Sequence, residues 1–495
     1  MYQDTPIEEI SSLVDRSWKA FELFRKVSLA TRAKLMRTIA EELELAGDDL
    51  IKTAMSETNL PEPRLRNERN RTIFQLNSYA EAAEKANWLE ARIDTADPNR
   101  TPPKPDIRKM LIPVGPVVVF GASNFPFAYS TAGGDTACAL AAGCTVIVKA
   151  HPAHPGTSLG AAQAIQKAIS RCGLPEDIFI HIYGAGSETG RTLVTHPKVK
   201  SVGFTGSYGG GKALFDWANQ RKEPIPVFAE MGSVNPVFLF PEQLKSTAQK
   251  TAEWYSASIT LSVGQFCTNP GLLIAIDSPG LDEFIEELGT LISNVSPGKM
   301  LHGGIAKSYQ EKKTAALAQE GNELIAASVA APGEGEGEAV IAKVSGKTFL
   351  ANPLLHQEVF GPYSLIVVCS DATEMEAVAS HLEGQLTATL MATESDIINH
   401  SNLVEQVKNI CGRIIVNGVP TGVEVCLAMH HGGPFPSTTD SRFTSVGADG
   451  IKRFARPLSF QNWPDSLLPD ELKNDNPLDI WRTVNNIPGK EKITS

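Results

Sequence analysis

Val117 to Phe127 reads VVVFGASNFPF. Three valines and a phenylalanine in a row show no polar alternation, so a strand made from them is buried on both faces. Strands of that kind belong to parallel sheets covered by helices on each side. The apolar run stops at Gly121, and a polar loop with Ser123-Asn124 follows before Phe125-Pro126. The same plan recurs in TVIVKA (145–150), IFIHIY (178–183), SVGFTG (201–206), PVFAEM (226–231) and NPVFLF (235–240). Ala-rich or amphipathic helical segments separate most of these runs. Strand and helix in alternation predict an α/β fold with a doubly wound parallel sheet. After Cys267 the alternation resumes with LLIAI (272–276), YSLIVV (363–368), ATLMA (388–392) and RIIVNG (413–418), which predicts a second α/β unit.

Outward from this core the pattern changes. Residues 8–90 place apolar side chains at three- and four-residue spacing with charges between them, which predicts helices. TADPNRTPPKP (95–105) is proline-rich and reads as an extended arm, and PGEGEGEA (332–339) reads as a mobile surface turn. The tail after Arg456 has no readable period.

Composition narrows the function. A net charge of -11 leaves nothing to neutralise a phosphate backbone and argues against nucleic-acid or membrane-surface partners. No run of about 18 apolar residues predicts a membrane span, and MYQDTPIEEI lacks the plan of a signal peptide. The seven cysteines are odd in number and widely spaced, with no CxxC or Cys/His pair at metal-ligand spacing. No metal site is expected, and the compartment is read as a reducing cytoplasm. Six of the seven read as small buried hydrophobes.

Ligands of doubly wound sheets sit at the carboxyl ends of strands. Those ends carry Ser123-Asn124, Lys149, Gly206-Ser207 and Glu230-Met231-Gly232, and then comes GQFCTNPG with Cys267. The glycines of Gly184-Ala-Gly186-Ser-Glu-Thr-Gly190 miss the dinucleotide fingerprint by one position, so they read as a strand-to-helix turn.

The ordered set N-F-P, V-K, G-F-T-G-S, E-M-G, G-Q-x-C and E-V-F-G-P (358–362) resembles the aldehyde dehydrogenase superfamily over most of the chain. E-M-G-S-x-N-P, G-Q-F-C-T-N-P-G, K-x-H-x-x-H-P and H-G-G-P-F-P resemble one branch of it. That branch holds α-ketoglutaric semialdehyde dehydrogenases and NADP-using fatty aldehyde dehydrogenases. The resemblance implies two open-sheet domains and a small oligomerisation arm. Residues 1–90 and 113–234 would form the dinucleotide-binding domain, 235–440 the catalytic domain, and 91–112 with 441–495 the arm and tail. A homodimer or homotetramer follows from it. Members of the branch have an added segment before the first helix, so the capping of the N-terminal edge is left open.

The implied chemistry is oxidation of an aldehyde to an acid. Cys267 is the nucleophile, Asn124 and the Cys267 N–H hold the oxyanion, and Glu230 activates the water that hydrolyses a thioester. Lys149, Gly206, Ser207, Glu358 and Phe360 are the implied cofactor contacts, with Ala122 and Ser123 beside them. His431, Phe125 and Phe435 are the implied substrate contacts, although a surface histidine pair (His430, His431) and ordinary core phenylalanines (among them Phe127 and Phe266) are rival readings. NAD-preferring relatives carry Glu where this chain has Pro152, so NAD or NADP is expected, with a lean to NADP or dual use aided by Lys149 and His151. His151 and His154 otherwise read as loop histidines in water. The expected substrate is α-ketoglutaric semialdehyde. The alternatives are a long-chain aldehyde, a coenzyme A-acylating reaction, which the presence of Glu230 disfavours, and a non-catalytic protein of the same fold.

Overall fold

The structure is a computed structural model that describes residues 2–494. Five parallel strands form the first sheet in the order Phe179–Ile182, Val146–Lys149, Val117–Phe120, Ser201–Thr205, Val227–Glu230. In chain order this is 3-2-1-4-5, so the direction of winding reverses between Val117–Phe120 and Ser201–Thr205. Open sheets of this kind bind ligands at that reversal. The unbroken apolar runs are explained by burial on both faces. One face packs on helices Leu29–Leu45, Gly134–Ala142 and Pro155–Arg171, the other on Ile7–Phe24, Ser187–Thr195 and Tyr208–Asn219. Val117, Val118 and Val119 are almost wholly enclosed, each stabilising the fold by about 1.5–3 kcal/mol relative to exposure.

The second sheet has seven strands, ordered Glu323–Ala327, Val340–Ser345, Tyr363–Cys369, Leu272–Ile276, Val237–Leu239, Gln385–Met391, Cys411–Val416. All neighbours are parallel except the antiparallel edge pair Glu323–Ala327 and Val340–Ser345. Those two strands escape the sequence reading, because ELIAA and VIAKVS mix Ala, Lys and Glu into runs too weak to count. The acidic glycine stretch is also more ordered than expected: Glu336–Gly337 pairs with Gly298–Lys299.

The arm is a third sheet. Ala455–Gln461, Ile107–Pro113, Arg92–Asp94, Arg482–Val484 and Ile487–Gly489 lie side by side, so the arm and the tail form one element. Arg108 ties them together, buried against Asp106, Asp465, the Leu472 carbonyl and Asn474. No helix among the described residues is long and apolar enough to cross a membrane.

Candidate active site

Cys267 sits between the two large sheets, in a loop whose entry is forced. Ser262, Val263 and Gly264 follow one another with φ of 48°, 56° and 64°. A Cβ at Gly264 would lie 2.3 Å from the Gly361 backbone, so only glycine fits there. Asn269 closes the same contact by donating to the Gly361 carbonyl at 3.1 Å. The Cys loop and the E-V-F-G-P segment are thereby locked together.

The E-M-G-S-x-N-P segment pins the loop from the other side. Asn235 is fully buried at a φ of 48° and donates its amide to the carbonyls of Cys267 and Asn269, both at 2.9 Å. Its oxygen accepts from Ser233 and Thr387, both at 3.0 Å. Gln385 takes hydrogen bonds from the Ser233 hydroxyl and the Val234 and Asn235 N–H groups.

Segment 431–439 runs along the end of the Val227–Glu230 strand, with Glu230 bridged to Thr438 and the Met231 N–H bonded to the Ser437 carbonyl. This brings His431 against Glu230. His431 Nε2 lies 3.2 Å from Glu230 Oε2 and 3.7 Å from Cys267 Sγ. The donor atoms of Glu230, Cys267 and His431 all fall within 4.8 Å of one another, close enough for one metal ion to bridge them. No Cys/His spacing in the sequence announces that juxtaposition. Burial and the nearby Glu230 and Glu358 carboxylates push the Cys267 thiol up, while Arg71 pulls it down. Burial pushes the Glu230 carboxyl up as well, but the charge and hydrogen bond of His431 and a bond from Cys267 outweigh it and hold the group below its ordinary range. A thiol kept protonated therefore faces a carboxylate kept ionised. Glu230 Oε1 is buried with no partner among the described residues.

Asn124 is buried, and its amide donates to the Gln265 carbonyl at 3.2 Å, which fixes it beside the Cys loop. Its own carbonyl accepts from Arg64 at 2.8 Å. Arg64 pairs with buried Glu68 at 3.0 Å, and Glu68 receives the N–H groups of Phe127 and Ala128. This clamp from helix Glu62–Lys85 is missing from the sequence reading. Its only signal is Arg64-Glu68 at i,i+4 spacing, which resembles any solvated helix face.

Lys149 ends its strand half-buried, with burial pushing its ammonium down and Asp4 pulling it up. Ser207 caps helix Tyr208–Asn219 by accepting from the Gly210 N–H. Gly206 is bare where a Cβ would meet the Phe204 ring at 2.6 Å, and Gly209 faces open space. Glu358 lies over Gly232, whose missing Cβ would come within 2.9 Å of its Oε2. Burial above all raises the Glu358 carboxyl to about 7, against the pull of Lys312 and the Ser233 N–H. Phe360 lines a cavity with Glu358, Gly264 and Phe266.

Several expectations need correction. Ala122 is almost wholly buried and has both backbone groups engaged, its N–H with the Tyr129 carbonyl and its carbonyl with His154. His154 is fully buried and stacked against His151 at 5.4 Å, so neither is a loop histidine in water. Burial pushes His151 down to about 3, which leaves it neutral rather than an aid to a phosphate. Phe127 belongs to the core. Phe125 packs edge-on against Phe266 at 5.5 Å beside the Cys loop. Phe435 is 52% exposed, with its ring 6.3 Å from Tyr208. His431 is buried while His430 is only partly so, which separates the doublet. Of the six cysteines read as buried, Cys426 is exposed.

Residues 2–457 match the Aldehyde dehydrogenase family. The chain is 48% identical over 464 residues to α-ketoglutaric semialdehyde dehydrogenase 2 of Azospirillum brasilense, covering 94% of this chain and 88% of that one. It is 44% identical over 489 residues to the α-ketoglutaric semialdehyde dehydrogenase of Acinetobacter baylyi, covering 98% and 93%. Among solved structures, a glyceraldehyde-3-phosphate dehydrogenase from Methanocaldococcus jannaschii complexed with NADP superposes with a TM-score of 0.78 at 19% identity, covering 93% of this chain and 95% of that one. An NAD-dependent aldehyde dehydrogenase from Sinorhizobium meliloti does so with a TM-score of 0.77 at 22% identity, covering 92% and 87%. These two likenesses speak for the fold alone. On the sequence match along nearly its whole length, the chain belongs to the aldehyde dehydrogenase family.

Proposed function

We propose that this chain oxidises α-ketoglutaric semialdehyde to the dicarboxylic acid, with Cys267 as nucleophile, Glu230 as general base and Asn124 as oxyanion donor. The observation that carries the reading is the convergence of the Cys267 thiol, the Glu230 carboxyl and the His431 ring within 4.8 Å of one another, with one carboxylate oxygen left unpaired. Attack on the flat aldehyde carbon requires the thiolate, and Glu230 lies within 4.8 Å of the sulfur, in reach to take the proton. His431 steadies the carboxylate in its ionised form. The Asn124 amide, held by Gln265, and the Cys267 N–H are the donors for the oxyanion that develops.

The strand ends fit a nicotinamide dinucleotide. Bare glycine backbone and a capped helix N-terminus at Gly206-Ser207 suit a pyrophosphate. Lys149 and Glu358 suit the two riboses, with Phe360 and Ser123 beside them. When bound, the nicotinamide supplies the hydride acceptor. With hydride gone from the substrate carbon, the acyl group rests as a thioester on Cys267. Glu230 Oε1, buried and unpaired, is the acceptor for the water that hydrolyses it. This favours hydrolysis over acyl transfer to coenzyme A. Either NAD or NADP is accepted: Pro152 presents no carboxylate, but Asp4 in the N-terminal segment lies within electrostatic reach of Lys149.

The substrate assignment rests on the 48% and 44% identical relatives and their names. The domain division is read as in the sequence, 1–90 with 113–234, 235–440, and the arm with the tail. A homo-oligomer is supported by the unpaired edge strand Cys411–Val416, where Ile414 and Val416 are exposed. Seven free cysteines support a reducing compartment such as the cytoplasm.

The test is pre-steady-state cofactor reduction. Cys267→Ala abolishes turnover while cofactor binding persists. Glu230→Gln gives a burst of reduced cofactor and then stalls, with steady turnover down about 10²–10⁴-fold. Sustained turnover by Cys267→Ala defeats the reading.

A further inference from the structure

Helix Glu62–Lys85 turns one charged stripe toward the reaction centre. Arg64 holds the Asn124 carbonyl, Glu68 holds the loop behind it, and Arg71 one turn on donates through Nη1 to the Val423 carbonyl at 2.7 Å. The remaining edge of the Arg71 guanidinium is unused: Nε and Nη2 are both buried and have no partner among the described residues. Those two nitrogens form the side-on fork that matches a carboxylate with two parallel hydrogen bonds.

Arg71 forms no ion pair among the described residues. The carboxylate one turn away, Glu68, is held by Arg64 and by two backbone N–H groups. A second guanidinium reaches the same loop. Arg413, on the edge strand, donates to the carbonyls of Gly422 and Pro420, and its buried Nε is also unpaired. Both arginines lie within electrostatic reach of Cys267 and of Tyr129, whose ring stands 6.1 Å from that of His431. Arg453, also near the reaction centre, is by contrast neutralised by Asp135 at 2.7 Å. A buried cation with an open fork beside a reaction centre is stabilised when an anion arrives with its substrate.

We propose that the Nε–Nη2 edge of Arg71, assisted by Arg413 Nε, binds the carboxylate of an aldehyde acid while its aldehyde end meets Cys267. This subsite gives the enzyme its selectivity for acidic over neutral aldehydes. The inference rests on Cys267 being the nucleophile and adds the group that chooses the substrate. α-Ketoglutaric semialdehyde, with a carboxylate at the far end from its aldehyde, is of the class selected.

The experiment compares Arg71→Lys and Arg71→Met with wild type on α-ketoglutaric semialdehyde and on hexanal. The acid's kcat/KM falls about a hundredfold more than hexanal's, mainly through KM. Arg71→Lys keeps a charge and a donor for Val423 but lacks the fork, so it decides the matter even where Arg71→Met does not fold. Thermal protection by α-ketoglutarate, which lacks the aldehyde and needs no turnover, is lost in Arg71→Lys. Equal losses on both substrates, or α-ketoglutarate protection retained in Arg71→Lys, overturn the subsite while leaving Cys267 chemistry standing. A wild type that oxidises hexanal but not the acid overturns the subsite together with the substrate assignment. A wild type that oxidises neither overturns the nucleophile as well.

Discussion

Replacing Asn235 with Ala removes the amide that anchors the nucleophile's loop. The carbonyls of Cys267 and Asn269 each lose a donor at 2.9 Å, and the Thr387 hydroxyl loses its acceptor, while that of Ser233 keeps Gln385. A buried group stripped of its partner costs about 1–3 kcal/mol. Asn235 also has a φ of 48°, a left-handed conformation that asparagine tolerates but alanine adopts at a cost of about 1–2 kcal/mol. The structure therefore places the loss of stability near about 4 kcal/mol. Urea unfolding of wild type, Asn235→Ala and Asn235→Gly measures it. Glycine relieves the backbone strain, so its variant recovers about 1 kcal/mol of the loss. With Cys267 no longer held, kcat/KM falls in both variants and the alkylation rate of the thiol changes. A stability loss below about 1 kcal/mol with unchanged kcat/KM refutes the role given to Asn235.

Between its ordinary value of 4.5 and about 7, folded Glu358 keeps a proton that the unfolded chain has lost. Its contribution to stability is fullest below that window and is lost as pH rises through about 7. The melting temperature of the cofactor-free enzyme should therefore fall across this window more steeply for wild type than for Glu358→Gln, and identical slopes refute the assignment. Asp4 is the carboxylate coupled to Lys149, so Asp4→Asn should move the ratio of kcat/KM for NADP over NAD toward NADP by about tenfold. An unmoved ratio removes Asp4 from the cofactor site. Zinc ions should inhibit by bridging Cys267, His431 and Glu230, with recovery on adding a chelator. Full activity at saturating zinc shows that the three cannot converge on one ion.

The fold was legible because its signal is local. Val117–Phe120, Val146–Lys149 and Leu272–Ile276 lie where their apolar runs predict, since a strand buried on both faces has no alternation to obscure it. Glu323–Ala327 was not legible, because a partly exposed edge strand tolerates Glu and Ala, and its buried neighbour Val340–Ser345 was not, because Ala and Lys interrupt its apolar run. The tail strands Arg482–Val484 and Ile487–Gly489 are three residues each; they pair with one another as a hairpin, and Arg482–Val484 pairs with the distant Arg92–Asp94. No period along the chain can announce such pairing.

The sequence by itself determined the alternating sheet, the order of chemical groups at the strand ends and, through their resemblance to a family, the roles to expect of Cys267, Glu230, Asn124, Lys149 and Glu358. Side chains at strand ends converge whenever the strands are parallel neighbours, so that much follows from local pattern. Only the tertiary structure decided which histidine of the 430–431 pair meets the thiol, that Asp4 comes within electrostatic reach of Lys149, and that Arg71 keeps an open fork. Each of these depends on segments far apart in the chain. The meaning of a charged side chain is set by what surrounds it: Arg71 on a helix reads as a solvated face until the fold buries its Nε and Nη2 without a partner among the described residues.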